Sequence, residues 1–189
     1  MIKALFKFDS HGKDCLNIDT TSGSGEFREL SPFVLRVIEP SGMSVLFENL
    51  WQYSKVYRDH IDFEGKPNAI WYEWRINGWA NQRAIRYPMG KGAKPEYSYW
   101  NGEKLGYIEA RKKIYAPIYA HYVTPTNSFQ NLRALYKTRD DVILRDFDAY
   151  DHQSLGMTLK DVINNPSRKM GHAFVLIMML TGVLEECLK

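Results

Sequence analysis

The sequence predicts one α+β domain that is mostly helical and contains a small β-sheet. The 189 residues fit a single domain, residues 1–189, and no repeat, low-complexity tract or linker divides them. Apolar residues make up 44% and charged residues 25% of the chain, as in ordinary globular proteins. Short alternating segments, which favour strands, stand between longer segments with helical periodicity.

The first half of the chain is expected to contain two strands and two helices. Alternating side chains predict a strand over residues 2–8, and glycine, serine and threonine predict a loop or hairpin connection over 9–29. A second strand is expected over 33–38. Helical periodicity then indicates a helix over 44–59 and a shorter helix over 68–76.

The second half begins with a segment, 86–100, whose two prolines and two glycines argue against regular structure. The elements expected after it are a helix over 105–119 with its last turn kinked by Pro117, a helix over 125–137, a strand over 142–147, a short helix over 159–163, and a last helix that opens at Asn165, has Pro166 in its first turn and ends near Gly182.

Composition excludes several classes of protein. A net charge of +3 is too small to indicate a protein that coats nucleic acid, and an aromatic content of 14% only slightly favours a flat, stacking ligand. Cys15 and Cys187 lack metal-ligand spacing and are expected to be reduced thiols. The start has no signal-peptide pattern, and the apolar run 173–180 is shorter than the about 20 residues that span a bilayer. We therefore expect a cytoplasmic protein without a membrane partner.

The helix expected over 44–59 carries an unusual polar stripe. At about 100° per residue, Glu48, Gln52 and Lys55 fall on one side, and Phe47 and Trp51 flank them. A helix that is apolar nearly all round is predicted to be buried, and a buried carboxylate and ammonium need partners. Periodicity leaves two interpretations open: the three side chains line a polar pocket, or they pair only with one another.

Two further groups of side chains are candidates for ligand contact. A basic loop contains Arg86 and Lys91 with interleaved glycines, which suits either phosphate binding or simple exposure to solvent. Trp100 offers a ring that either stacks on a base or fills the core.

An acidic segment follows the strand expected over 142–147. Asp146, Asp148 and Asp151 offer a second carboxylate, or form only a turn. Clustered aspartates also suit magnesium, although the neighbouring His152 is more typical of an exposed loop. His172, which lies among apolar residues, is more typical of a core histidine.

These patterns resemble the NADAR family, named for its suggested link to NAD and ADP-ribose. The specific motifs are Leu30-Ser31-Pro32-Phe33 before a strand and Glu48-Asn49-Leu50-Trp51-Gln52-Tyr53-Ser54-Lys55 on a helix. The order of a basic residue, a tryptophan, a helix and an acidic strand is also similar, over Arg86, Lys91, Trp100, Thr138 and Val142–Asp146. The chain departs from the family at 151–156, where a Trp-Gly-x-Gly segment is usual, and matches it only approximately at 170–175.

The resemblance implies an N-glycosidase that acts on a ribosylated nitrogen compound. We expect no metal and no cofactor. The substrate classes are ADP-ribose on guanine, in DNA or a nucleotide, and free ribosylaminopyrimidine phosphates. Because the sugar departs as an oxocarbenium-like cation, a carboxylate near the ribose is needed. We expect Glu48 and Asp148 to be catalytic, and the substrate-binding side chains to be Gln52, Lys55, Arg86, Lys91, Trp100 and Asp151.

Two alternatives stay open at this point. Tyr87, Tyr97, Tyr99 and Trp100, interleaved with basic residues, also suit a non-enzymatic module for single-stranded nucleic acid. The missing Trp-Gly-x-Gly segment also suits an interaction protein that kept the fold and lost the activity. The position of Glu48, in an enclosed pocket or in bulk solvent, distinguishes an enzyme from a binding module.

Overall fold

Three small sheets and the helices between them form the architecture. The computed structural model describes residues 1–189. The strands are β1 Ile2–Phe6, β2 Leu16–Asp19, β3 Arg36–Ile38, β4 Ser44–Leu46, β5 Lys55–Val56, β6 Tyr97–Trp100, β7 Glu103–Leu105 and β8 Val142–Asp146. The α-helices are α1 Phe47–Tyr53, α2 Ala69–Ala80, α3 Tyr107–Ala110, α4 Ala116–Val123, α5 Asn127–Thr138, α6 Leu159–Asn164, α7 His172–Leu180 and α8 Leu184–Leu188. Single 3₁₀ turns occupy Arg28–Leu30 and Arg58–His60, and a π-helical turn, Arg111–Tyr115, joins α3 to α4.

The main sheet is parallel and has β8 at its centre. β1 and β2 flank β8 on either side, and the register pairs both Ile2 and Leu16 with Val142. All five residues of β8 are buried, as expected for a central parallel strand. The carboxyl ends of the three strands therefore meet at one edge of the sheet.

One hydrophobic core of 36 buried residues connects the sheets to the helices. Helix α1 lies inside it, and all seven of its residues are buried. Helix α7 is buried over its first seven residues and packs against α4, β1 and β8. The prediction of a single α+β domain is confirmed, with three small sheets in place of one.

The π-helical turn between α3 and α4 has its cause in Pro117. This residue has no N–H and cannot donate to the carbonyl four residues earlier. Ala116 instead donates its N–H to the Arg111 carbonyl, five residues earlier, which defines the π turn. The prediction of a helix over 105–119 is confirmed, although the helical segment begins at Tyr107 and ends at Val123. The π turn precedes Pro117, whereas a kink was expected in the last turn.

The predicted helix over 44–59 is wrong in length. Its first residues form β4, which pairs with β3, and Lys55–Val56 form β5, which pairs with β6. Only Phe47–Tyr53 is helical, because these strand pairings override the local helical pattern. The pairing with β6 also shows that the segment 86–100, expected to be irregular, ends in a strand.

Two other predicted boundaries need correction. The loop expected over 9–29 contains β2, whose four residues join the edge of the parallel sheet. The last helix begins at His172 and not at Asn165. Arg111 donates hydrogen bonds to the carbonyls of Asn165 and Arg168, so these carbonyls are unavailable for helical bonds.

The remaining elements agree with the predictions to within a few residues. They are β1, β3, α2, α5, β8 and α6. None of the helices combines the length and the apolar character that crossing a membrane requires.

Because α1 and α2 pack closely at Gly78, we expect this position not to tolerate a larger side chain. A Cβ atom added there would lie 2.0 Å from the Tyr53 ring. We expect Gly78→Ala to lower the free energy of unfolding by about 1–3 kcal/mol, since overpacking outweighs the gain in helix propensity. Urea denaturation measures the change, with Gly25→Ala as control because nothing lies within 4 Å of a Cβ there. Equal stability of the two variants would contradict the packing argument.

Candidate active site

A cavity of about 560 Å³ opens at the carboxyl edge of the parallel sheet. Its walls are the ends of β2 and β8, helix α1, the segments 31–33, 86–93 and 169–172, and one side of the helix 107–115. The volume lies within the range of sites for small molecules and cofactors. Ligands of open parallel sheets bind at this edge, because loops from several strands converge there.

The two sequence motifs meet at the start of α1. Ser31, Pro32 and Phe33 line the cavity beside Glu48. The Glu48 N–H donates to the Pro32 carbonyl over 3.0 Å. The segment 31–33 thus fixes the N-terminal end of α1 and the backbone that carries Glu48.

The polar stripe is a hydrogen-bonded chain inside the cavity. Lys55 Nζ donates to Gln52 Oε1 over 2.6 Å, and Gln52 Nε2 donates to Glu48 Oε1 over 2.9 Å. All three side chains line the cavity, although Lys55 lies on β5, beyond the end of α1. Both interpretations of the stripe therefore apply together: the side chains pair with one another and also face the cavity. Glu48 Oε2 accepts no hydrogen bond from the protein.

Burial is the main cause of the pKa shifts of Glu48 and Lys55. Glu48 is only 6% exposed, and burial raises its pKa from 4.5 to about 7, against the opposing effects of Gln52, Lys55 and Arg86. Burial lowers the pKa of Lys55 to about 8, although the charge of Glu48 opposes this shift. Near neutral pH, Glu48 is therefore present in both its protonated and its ionised form.

The basic loop folds against the acidic segment. Arg86 donates to Asp148 Oδ2 over 2.6 Å, and Lys169 Nζ lies 4.0 Å from Asp148 Oδ1. Arg86 and Asp148 line the same cavity as Glu48, and their charges shift the pKa of Glu48 in opposite directions. Lys91 is an exposed residue on the wall of the same cavity.

A third carboxylate, Asp146, was not among the expected catalytic residues. It is 4% exposed, lines the cavity, and has His172 Nδ1 at 3.3 Å from its Oδ2. His172 Nε2 donates to the Thr20 carbonyl over 2.9 Å, which fixes the ring. A Cβ atom on Gly171 would lie 1.9 Å from Asp146 Oδ2, so only glycine leaves room for this carboxylate. His172 is therefore buried and hydrogen-bonded, as expected for a core histidine, and it also lines the cavity.

Two residues of the π turn were also missed. Arg111 and Tyr115 both line the cavity. Arg111 is 2% exposed and has no carboxylate partner; its guanidinium donates to the carbonyls of Ile163, Asn165 and Arg168. The only signal in the sequence was Pro117, which indicated an irregular helix without showing which side chains it would redirect.

Two of the predicted substrate-binding residues lie elsewhere. Trp100 packs on the core with its ring 6.3 Å from that of Trp79, so the expectation that it stacks a ligand in this cavity is wrong. Asp151 forms an ion pair with Lys3 at 2.9 Å, outside the cavity, and the expectation of substrate contact is wrong there too. The aromatic side chains that do line the cavity are Phe33, Trp51, Tyr57, Tyr87, Tyr107, Tyr115 and Phe147.

The structure contains no group of three histidine, cysteine or acidic side chains placed to hold a metal ion. His152 packs its ring against Phe174, 5.6 Å away, and not against the cavity.

Comparison with models of protein families, with curated proteins and with solved structures gave no match to this chain. The resemblance to the NADAR family therefore stays a prediction, and the function has to be argued from the geometry of the cavity.

The raised pKa of Glu48 predicts how stability depends on pH. Between pH 4.5 and about 7 the folded protein holds a proton on Glu48 that the unfolded chain releases, so stability falls as the pH rises. We expect the free energy of unfolding of the parent protein, relative to Glu48→Gln, to fall by up to about 3 kcal/mol across this window. Urea denaturation at pH 5 and pH 7.5 measures it.

The exposed Glu73→Gln is the matched control, because its carboxylate lies on the solvent side of α2. It should leave the pH dependence of the parent protein unchanged. Parallel pH curves for the parent protein and Glu48→Gln would contradict the raised pKa.

Proposed function

We propose that this protein hydrolyses the N-glycosidic bond of a ribosylated base, and that it removes ADP-ribose from guanine in DNA or a nucleotide. One observation carries the proposal: Glu48 and Asp148 approach the same cavity in unlike surroundings. Glu48 is buried, with a pKa of about 7, whereas Asp148 is half-exposed and ion-paired with Arg86. Two carboxylates in such different environments are suited to separate acid and base roles.

Glu48 acts as the general acid in this proposal. Its protonated form donates a proton to the departing nitrogen of the base, and the electron pair of the C–N bond goes to that nitrogen. The hydrogen bond from Gln52 holds one carboxyl oxygen, which leaves Oε2 to face the leaving group. Lys55 orients Gln52, so all three residues of the stripe serve one proton transfer.

Asp148 acts on the sugar. Its negative charge stabilises the oxocarbenium-like cation, and it accepts the proton of the water whose oxygen bonds to the anomeric carbon. The products are the free sugar and the base, and the proton taken up by Asp148 returns to Glu48 through solvent. Arg86 holds the carboxylate in place for this step.

The cations on the cavity wall support a phosphorylated substrate. Lys91 and Lys169 line the cavity and are exposed, so they are available to phosphate oxygens. Aromatic residues such as Trp51 and Tyr107 also line the cavity and offer apolar surface to a base. A pyrophosphate-linked nucleotide contacts both the cationic and the aromatic side chains of the cavity, whereas a free ribosylaminopyrimidine phosphate is smaller and contacts fewer of these side chains.

The structure gives less support to a module for single-stranded nucleic acid. Tyr97, Tyr99 and Trp100 belong to β6, where Ser98 pairs with both neighbouring strands. Tyr99 packs edge-on against the buried Trp71, so these rings form no continuous stacking surface. A buried carboxylate facing the cavity also has no use in a surface that binds phosphates.

Replacing the proposed acid tests the function directly. We expect the parent protein to release ADP-ribose from an oligonucleotide that contains ADP-ribosylated guanine, and Glu48→Gln to reduce the rate by roughly a hundredfold or more. The rate of the parent protein should fall as the pH rises through about 7, because only protonated Glu48 is active. Chromatography of the released sugar measures both, with Glu73→Gln as control.

A parallel reaction with a ribosylaminopyrimidine phosphate distinguishes the substrate classes. Faster hydrolysis of this small compound would exclude the ADP-ribosylated base as the preferred substrate. Unchanged turnover in Glu48→Gln, or a rate that increases above pH 7, would overturn the role of Glu48.

A further inference from the structure

The hydroxyl of Tyr115 is a polar group of the cavity that the steps above do not use. Its ring is held by aromatic contacts to Phe47, at 5.2 Å, and Trp51, at 5.1 Å. Tyr115 is 7% exposed and lines the cavity, and its hydroxyl forms no hydrogen bond with the protein. A rigidly held phenol with a free hydroxyl in a cavity is available to a ligand.

Three carboxylates, those of Glu48, Asp146 and Asp148, line the same cavity as Tyr115. After burial itself, the charges of Glu48, Asp146 and Asp148 keep the pKa of Tyr115 well above its ordinary value. The group therefore remains a neutral O–H donor in the cavity that both proposed catalytic carboxylates line.

The chemistry of the sugar selects one partner for such a donor. The ring oxygen of the ribose gains positive charge as the C–N bond breaks, so a donor there would oppose the reaction. The 2-hydroxyl is on the carbon next to the anomeric carbon, and its hydrogen bonds strengthen in the transition state. A carboxylate such as Asp146 can accept the proton of that hydroxyl while Tyr115 donates to its oxygen.

We propose that Tyr115, together with Asp146, binds the 2-hydroxyl of the ribose at the scissile bond, so that the cavity selects ribosyl over 2-deoxyribosyl compounds. The identity of the sugar rests on the proposed function. The π turn is the local cause of this arrangement, since it inserts a residue into the helix and turns both Arg111 and Tyr115 toward the cavity. His172 and Gly171 are positioning residues for Asp146.

Ligand affinity tests this inference without requiring turnover. Calorimetry would compare ADP-ribose with its analogue that lacks the 2-hydroxyl on the terminal ribose, for the parent protein and for Tyr115→Phe. We expect Tyr115→Phe to weaken ADP-ribose binding about tenfold and to leave binding of the deoxy analogue unchanged. The ring and its packing are retained, so the variant should fold.

Tyr119→Phe is the matched control. Tyr119 stacks on Tyr115 but lies outside the cavity, and its hydroxyl donates to the Leu30 carbonyl. We expect Tyr119→Phe to change the stability of the protein and to leave the ratio of the affinities for ADP-ribose and its deoxy analogue as in the parent protein. Equal weakening of both ligands by Tyr115→Phe, no weakening of either, or no binding of ADP-ribose to the parent protein would each overturn the inference.

The two proposals can fail separately. Selective binding of ADP-ribose that depends on Tyr115, without any hydrolysis, would contradict the proposed function and leave sugar recognition intact. Hydrolysis that depends on Glu48, with equal rates for ribosyl and deoxyribosyl substrates, would contradict only the role of Tyr115.

Discussion

The hydrogen bond from Gln52 to Glu48 is the contact around which this cavity is organised. A carboxylate this deeply buried costs free energy when it is ionised, and the protein compensates that cost only in part. No cation forms a direct ion pair with Glu48, because the Gln52 amide lies between its carboxylate and the Lys55 ammonium. A direct ion pair would hold the carboxylate ionised, whereas the amide leaves its pKa near neutrality. Shortening α1 to seven residues is part of the same arrangement, because it moves Lys55 onto β5.

The parallel sheet supplies what surrounds Glu48. Strand β8 ends at Asp146, and the chain then turns so that Asp148 meets Arg86 from the basic loop. Helix α7 begins directly beside this strand end, and Gly171 precedes it at a position where a side chain would displace Asp146. Asp146 and Asp148 therefore come from the edge of the sheet, whereas Arg86, Lys91 and Lys169 come from the loops around it.

Among the residues that line the cavity, sequence reasoning identified those that lie close together along the chain. Glu48, Gln52 and Lys55 were found because helical spacing places them together, and Arg86 and Asp148 because like charges cluster in the chain. Helix 44–59 was too long because strand pairing depends on distant partners that periodicity does not reveal.

Trp100 and Asp151 were misplaced for a related reason. Their residue types suit a ligand, but Trp79 and Lys3, which bind them, are far away in sequence. Asp146, His172 and Tyr115 come from β8, α7 and the π turn, and they meet at one cavity only in the folded chain.

Arg111 connects two parts of the cavity wall. Its guanidinium donates to three carbonyls of the segment 163–168, and this segment continues into residues 169–172 of the cavity wall. Both walls are thus ordered before any ligand enters, and a ligand loses little affinity to the entropic cost of arranging them.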